Sequence, residues 1–304
     1  MSKAPASSPS SLRIFAAFTV VTLIWGSTWL VIKDQVGTVP ATWSITYRFI
    51  VACAAMFLFA RLRGDSLRLS APGMRLAVLL GLTQFFGNFQ FVYRAEMHLT
   101  SGIVAVCYAL LMVPNAVLAR VFLNQRIGSG FLAGSAVAIA GIALLMIHEY
   151  RIAPPGGQIA LGLFFTLGGL LCASSANVLQ ANNVGRAQPV VSLLAWAMLW
   201  GTLADAAFSF ATAGPPVFDP RWEYAAGIVY LAIFGSVVTF PLYFLLIREL
   251  GAGRAAYNGV AVPVVAMALS TLFEDYRWTG LAAGGAVLAI SGLLISLIAR
   301  HKRA

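Results

Sequence analysis

Ten apolar runs, each close to the length a helix needs to cross a bilayer, constrain this chain more than any other feature. They fall at about 12–32, 41–60, 76–93, 100–123, 130–147, 159–180, 190–211, 224–247, 252–273 and 279–299. A spanning helix takes roughly 20 apolar residues. Lipid offers no partner for main-chain N–H and C=O groups, so a segment of this kind has to satisfy them internally, as a helix does. The expected fold is therefore an all-α polytopic membrane protein with ten transmembrane helices. Composition agrees, because 60% of the residues are hydrophobic and 10% charged, against roughly 25% charged in soluble domains.

The runs also repeat. Gly130 to Leu145 reads GFLAGSAVAIAGIALL and returns as GLAAGGAVLAISGLLI from Gly280 to Ile295. Gly130 and Gly134 match Gly280 and Gly284 at an offset of 150, and Gly141 matches Gly292 at 151. Phe122 and Arg126 find Phe273 and Arg277 at the same 151. Two repeats with five runs each follow. An odd number of spans turns the second repeat upside down, which gives two inverted five-helix repeats, an architecture common among secondary transporters. The expected organisation is a tail at 1–11, repeats at 12–150 and 151–299, and a second tail at 300–304. The pairs Gly130/Gly134 and Gly280/Gly284 are expected to let spans 5 and 10 pack closely.

Orientation follows from the basic residues. Fourteen Lys and Arg lie on one side of the spans and five on the other, with Arg48 inside span 2. The richer side, which holds both termini, is expected to be cytoplasmic. The net charge of +10 is thus a topology signal and implies no nucleic acid partner.

Catalytic signatures are missing. Cys53, Cys107 and Cys172 sit in apolar runs without a CxxC pair. His148-Glu149 begins like a zinc-binding H-E-x-x-H, but Ile152 occupies the place of the second His. No G-x-S-x-G or phosphate-binding glycine loop is found, and no cofactor is implied. Function is expected to come from a cavity that takes a small molecule, not from an enzyme.

Polar side chains within spans are costly in lipid and point to a bundle interior. In span 1, Trp25-Gly26-Ser27-Thr28-Trp29 combines two indoles with hydroxyls; Trp25 and Trp29 share a face, as cavity lining or as an interfacial belt. Span 3 carries Gln84, Asn88 and Phe91 at i, i+4 and i+7 among Phe85, Phe86 and Phe89. These amides suit a ligand or an interhelical hydrogen bond equally well. Span 4 offers Tyr108, Met112 and Asn115 beside Pro114, with Tyr257, Asn258 and Pro263 as counterparts in span 9. Span 6 adds Asn177 and Gln180, and span 8 adds Tyr230 and Tyr243. Two charges lie within spans, Arg48 and Asp205. They are expected to form a buried ion pair, or Asp205 carries a coupling proton.

W-G-S-T-W-x3-K (Trp25 to Lys33), Tyr47-Arg48-Phe49, the Pro114 to Arg126 segment and the repeated glycine helices resemble the drug/metabolite transporter superfamily, in its ten-span EamA-type branch. The likeness covers essentially the whole chain and is greatest to bacterial inner-membrane exporters of aromatic amino acids. The family's usual L-G-E-R ending is replaced by Leu123-Asn124-Gln125-Arg126 and by Glu274-Asp275-Tyr276-Arg277. The resemblance implies export of small metabolites from the cytoplasm by alternating access, through a cavity enclosed by spans of both repeats. The residues favour a matching substrate. A sugar phosphate would call for clustered Lys or Arg, and a cationic drug for a carboxylate among aromatic walls. A zwitterion with an apolar side chain can be held by amides, hydroxyls and stacked rings. Broader drug and metabolite efflux, and a non-transporting membrane scaffold, are the alternatives. The oligomeric state is left open.

Overall fold

The computed structural model describes residues 11–37, 39–124, 126–152, 158–243, 245–246 and 258–301. Every regular element among them is helical. Eight helices are long and apolar enough to cross a membrane. They are α1 (Ser11–Gln35), α2 (Ala41–Leu62), α3 (Ala71–Glu96), α4 (Ser101–Leu123), α5 (Ser129–Ile152), α6 (Ile159–Ala181), α7 (Val190–Ala213) and α8 (Trp222–Tyr243). Two more apolar helices follow, α9 (Asn258–Phe273) and α10 (Gly280–His301). The expected ninth span started at 252, but 252–257 lie outside the described residues.

Local chemistry sets the helix ends. Ser70 caps α3 by accepting a hydrogen bond from the Gly73 amide at 3.1 Å, with a proline in the first turn. Pro40 and Pro189 precede α2 and α7, where a missing N–H costs nothing. Asn124 stops α4 at φ 53° and Gly214 stops α7 at φ 73°, both in the left-handed region. The α3 span runs past the expected 76–93 at both ends. Its C-terminal extension carries Arg94 and Glu96, and the neighbouring helices bury Glu96 completely.

Three helices depart from the regular ladder. In α3 the stretch Gly81–Gly87 is π-helical, and so is Ile233–Val238 in α8. Their starts are 152 residues apart (233 − 81), close to the offset of the glycine repeat. α4 breaks at Leu110–Leu111. Pro114 has no N–H to offer the Leu110 carbonyl, and the Val113 amide bonds it instead at 2.8 Å. Pro263, inside α9, stands 149 residues further on (263 − 114). π-turns and proline breaks are recurrent at functional sites and hinges.

α2, α3 and α7 share the largest buried cluster, with Ile45, Phe49, Met56, Leu80, Phe85 and Met198 at its centre. α5 and α10 cross antiparallel at van der Waals distance. A Cβ on Gly134 would meet the Gly292 carbonyl at 2.6 Å, and one on Gly141 would meet the Gly285 carbonyl at 2.6 Å. Nothing lies within 4 Å of a Cβ on Gly280 or Gly284. The close approach is thus made by Gly134-x6-Gly141 against Gly285-x6-Gly292, a repeat with the single offset 151. A slip of one residue turns a helix by about 100°, which is why Gly284 faces outward while Gly285 is buried. Gly130 does belong to the contact, against Ala299.

Candidate functional site

An aromatic cluster fills the place where α1, α2, α3, α4 and α8 converge. The Trp25 ring of α1 lies 5.0 Å from Tyr243 and 5.7 Å from Phe240, both on α8. Phe240 meets Phe85 of α3 at 5.8 Å, and Phe85 and Phe89 meet Phe49 of α2 at 5.3 and 4.9 Å. One turn further along α1, Trp29 packs on Tyr108 of α4 at 5.0 Å. The Tyr108 hydroxyl donates to Asn88 Oδ1 at 2.8 Å, and its ring end rests on Gly169 of α6, where a Cβ would have no room. Trp25 Nε1 donates to the Gly235 carbonyl at 3.4 Å, inside the π-helical stretch of α8. Trp29 Nε1 is buried and has no partner among the described residues. Such pairs prefer tilted or edge-on geometry and place apolar area beside a polar handle.

The same convergence holds Arg48. Its guanidinium lies 4.4 Å from the centre of the Phe89 ring and 5.2 Å from Phe49, and Nη2 reaches Ser236 Oγ at 3.4 Å. Gly235 lies against the same group, where a Cβ would crowd Thr28 Cγ2 at 3.0 Å and touch Arg48 Nη2 at 3.5 Å. Thr28 itself is buried and donates back to the Trp25 carbonyl. Tyr230 of α8 shares a hydrogen bond of 2.6 Å with Ser27.

Arg48 and Asp205 form no ion pair, contrary to expectation. The carboxylate of Asp205 accepts from Gln90 Nε2 at 2.7 Å, and Gln90 Oε1 accepts from Arg94 Nη1 at 2.7 Å. An amide therefore relays the charge of Arg94 to Asp205. Two opposite charges within spans suggest a pair, but the sequence does not say which face of α7 bears Asp205. The ion pairs among the described residues are Arg63–Asp65 and Arg221–Asp219, both in connections between helices. In the second, the Arg221 side chain and amide hold the Asp219 carboxyl below its ordinary range.

The remaining expected residues divide. Gln84 is half-buried in the π-helical stretch of α3. Phe91, which its spacing placed on the same face, instead packs on Gly168 and toward Phe165 of α6. A π-helix takes more residues per turn than an α-helix, so the i, i+4, i+7 stripe does not survive it. Asn258 donates to Thr22 Oγ1 at 3.0 Å and to the Phe18 carbonyl at 3.4 Å, tying α9 to α1. Asn177 donates to Asn115 Oδ1 at 3.3 Å, tying α6 to α4. Gln180 lies half-buried near the end of α6. Tyr257 lies outside the described residues. A groove of about 460 Å³ between α4, α9 and α10 contains, of the side chains singled out in the sequence, Pro263 alone; Val106, Met267, Ala286 and Ile290 line it too.

Sequence reasoning missed Phe49, Phe240, Gln90, Tyr93 and Glu96. Phe49 and Phe240 carry no polar atom to mark them in an apolar run. Glu96 lay beyond the counted end of span 3 and read as a loop residue.

A bundle of long apolar helices whose interior is aromatic, with amides, isolated charges and paired helix distortions, is that of a polytopic membrane protein. The chain belongs to the EamA-like transporter family, whose model matches residues 12–147 and 160–298 as two repeats. It is similar to a probable amino-acid metabolite efflux pump of Escherichia coli, 27% identical, with 91% of this chain and 92% of the relative covered. It is also similar to Protein PagO of Salmonella typhimurium (23%; 95% and 94% covered) and to the uncharacterized inner membrane transporter YedA of Escherichia coli (27%; 86% and 82%). A solved crystal structure matches 97% of this chain and 100% of its own with a TM-score of 0.69 at 18% identity, a likeness in fold.

Proposed function

We propose that this transporter exports small zwitterionic metabolites, aromatic or hydrophobic amino acids foremost, across the bacterial inner membrane by alternating access. The observation that carries the reading is the cluster Trp25, Trp29, Phe85, Tyr108, Phe240 and Tyr243, drawn from helices of both repeats. Aromatic faces and half-met polar groups suit a side chain of the phenylalanine or tryptophan kind. The likeness to a probable amino-acid metabolite efflux pump supports the same substrate class.

In this reading the ten helices all span, and the repeats are inverted about an axis in the membrane plane, with both termini cytoplasmic and the boundary near residue 150. The antiparallel crossing of α5 and α10 supports the inversion. So do the paired distortions of α3 with α8 and α4 with α9, which supply bending points at equivalent places in the two halves.

A ligand that binds only the native state raises its stability by about 2.7 kcal/mol at one hundred times its dissociation constant. Purified protein is expected to melt at higher temperature with phenylalanine or tryptophan and to respond little to alanine. Trp29→Ala, which removes the ring packed at a tilt against Tyr108, should keep the fold and lose most of the shift. Equal shifts with all three amino acids, or none with any, would count against the proposed substrate.

A further inference from the structure

We propose that Arg48, Tyr93 and Glu96 receive the charged head of an α-amino acid, Arg48 taking the carboxylate and Glu96 the ammonium. The inference rests on the proposed amino-acid substrate and is carried by bonding capacity that the protein leaves unmet. Phe89, Tyr93 and Glu96 follow one another at i, i+4 and i+7 and form one stripe of α3. Arg48 lies over the first of them. Arg48 is 2% exposed, and Tyr93 and Glu96 are 0% exposed. Yet Arg48 Nε and Nη1 and both carboxylate oxygens of Glu96 have no hydrogen-bond partner among the described residues. Polar atoms buried at such depth are normally paired, and a buried charge almost always is.

The two opposite charges feel each other, and the Tyr93 hydroxyl lies within hydrogen-bonding reach of Arg48, but Arg48 and Glu96 do not meet in a salt bridge. The other charged groups near Glu96 do not bond its carboxylate oxygens. Lys33 gives its ammonium to the main-chain carbonyls of Glu96 and Leu99, and Glu274 accepts from the Ser101 amide and hydroxyl at the start of α4. Asp205 is held by Gln90. The free Nε and Nη1 of a guanidinium can offer parallel donors to a carboxylate. An ionised carboxylate only accepts, which suits the three donors of an ammonium. An α-amino acid, which bears a carboxylate and an ammonium on one carbon, offers a partner to each group. A sugar phosphate would be repelled by Glu96, and a simple cation would leave Arg48 unmet. Phe49 and Phe89 lie beside the guanidinium, with Phe85 against Phe49, and the side chain of the same ligand would pack along these rings.

The test is competition for labelled phenylalanine on the purified full-length protein, using phenethylamine, which lacks the carboxylate, and N-acetylphenylalanine, which lacks the ammonium. Hydrogen bonds to charged groups predict that each analogue binds roughly 10- to 100-fold more weakly than phenylalanine. Arg48→Gln should close the gap for phenethylamine alone, and Glu96→Gln the gap for N-acetylphenylalanine alone. If a variant does not fold, the analogue series on the unaltered protein still decides. Either analogue competing as well as phenylalanine, or folded variants that keep both gaps, would overturn the head-group site while leaving amino-acid binding standing. No binding of any amino acid would overturn the proposed substrate and this site with it.

Discussion

Gly292→Leu is expected to prevent α10 from docking on α5, with a loss of stability above about 3 kcal/mol. Overpacking a core typically costs about 1–3 kcal/mol when side chains can yield. Here the first added atom would already meet the main chain of Ala138, with the Gly134 carbonyl at 2.6 Å and Ala138 Cα at 2.8 Å. A helix backbone cannot step aside as a side chain does, so the whole helix would have to move. Without a hydrophobic drive between helices in lipid, close packing of small residues is the main force holding such a pair. Gly284→Leu is the control. It stands eight residues away on the same helix and meets nothing within 4 Å. Size-exclusion profiles and melting curves in detergent should show the first variant aggregated or unfolded and the second unchanged. Equal behaviour would mean that α5 and α10 do not cross at these glycines.

The second large effect concerns Gln90. Replacing it by Leu removes the amide that connects Arg94 to Asp205 and leaves a carboxylate that is 0% exposed without the donor at its Oδ1 atom. Stranding a buried charge typically costs about 3–5 kcal/mol. Asp205→Asn removes the charge and keeps an acceptor facing Gln90, so it should cost much less. The double variant Gln90→Leu with Asp205→Asn should be more stable than Gln90→Leu alone, because no charge then remains stranded. A double-mutant cycle on melting temperature in one detergent measures this coupling. A cycle with no coupling would show that the relay does not matter to the folded state.

Much of the fold was legible because it rests on lengths and offsets. Apolar runs of about 20 residues located the eight long helices to within a few residues. The glycine register was read with a one-residue slip, since Gly284 and Gly285 are adjacent and only packing separates them. Pro114 marked the break in α4, but the π-helical stretches could not be read at all, because a π-turn needs no residue that an α-turn lacks. The site was legible in part. Trp25, Trp29, Phe85, Asn88, Tyr108 and Tyr243 all take part in the convergence, and each sits in an apolar run with either a polar handle or an aromatic neighbour to mark it. Asn115, Asn177 and Asn258 bore the same mark but tie helices together. An amide in a span says only that it points inward, and whether it meets a ligand or another helix depends on the rotation of both helices. The pairing of Arg48 failed for the same reason.

Counterflow in proteoliposomes tests the central claim most directly, because it needs no assumed energy source. Vesicles preloaded with unlabelled phenylalanine are given labelled phenylalanine, tryptophan, alanine or a cationic dye outside. The account predicts saturable uptake of the two aromatic amino acids, weak uptake of alanine and none of the dye. Dye uptake without amino acid exchange would point to broader efflux, and no exchange of any of them would contradict the account.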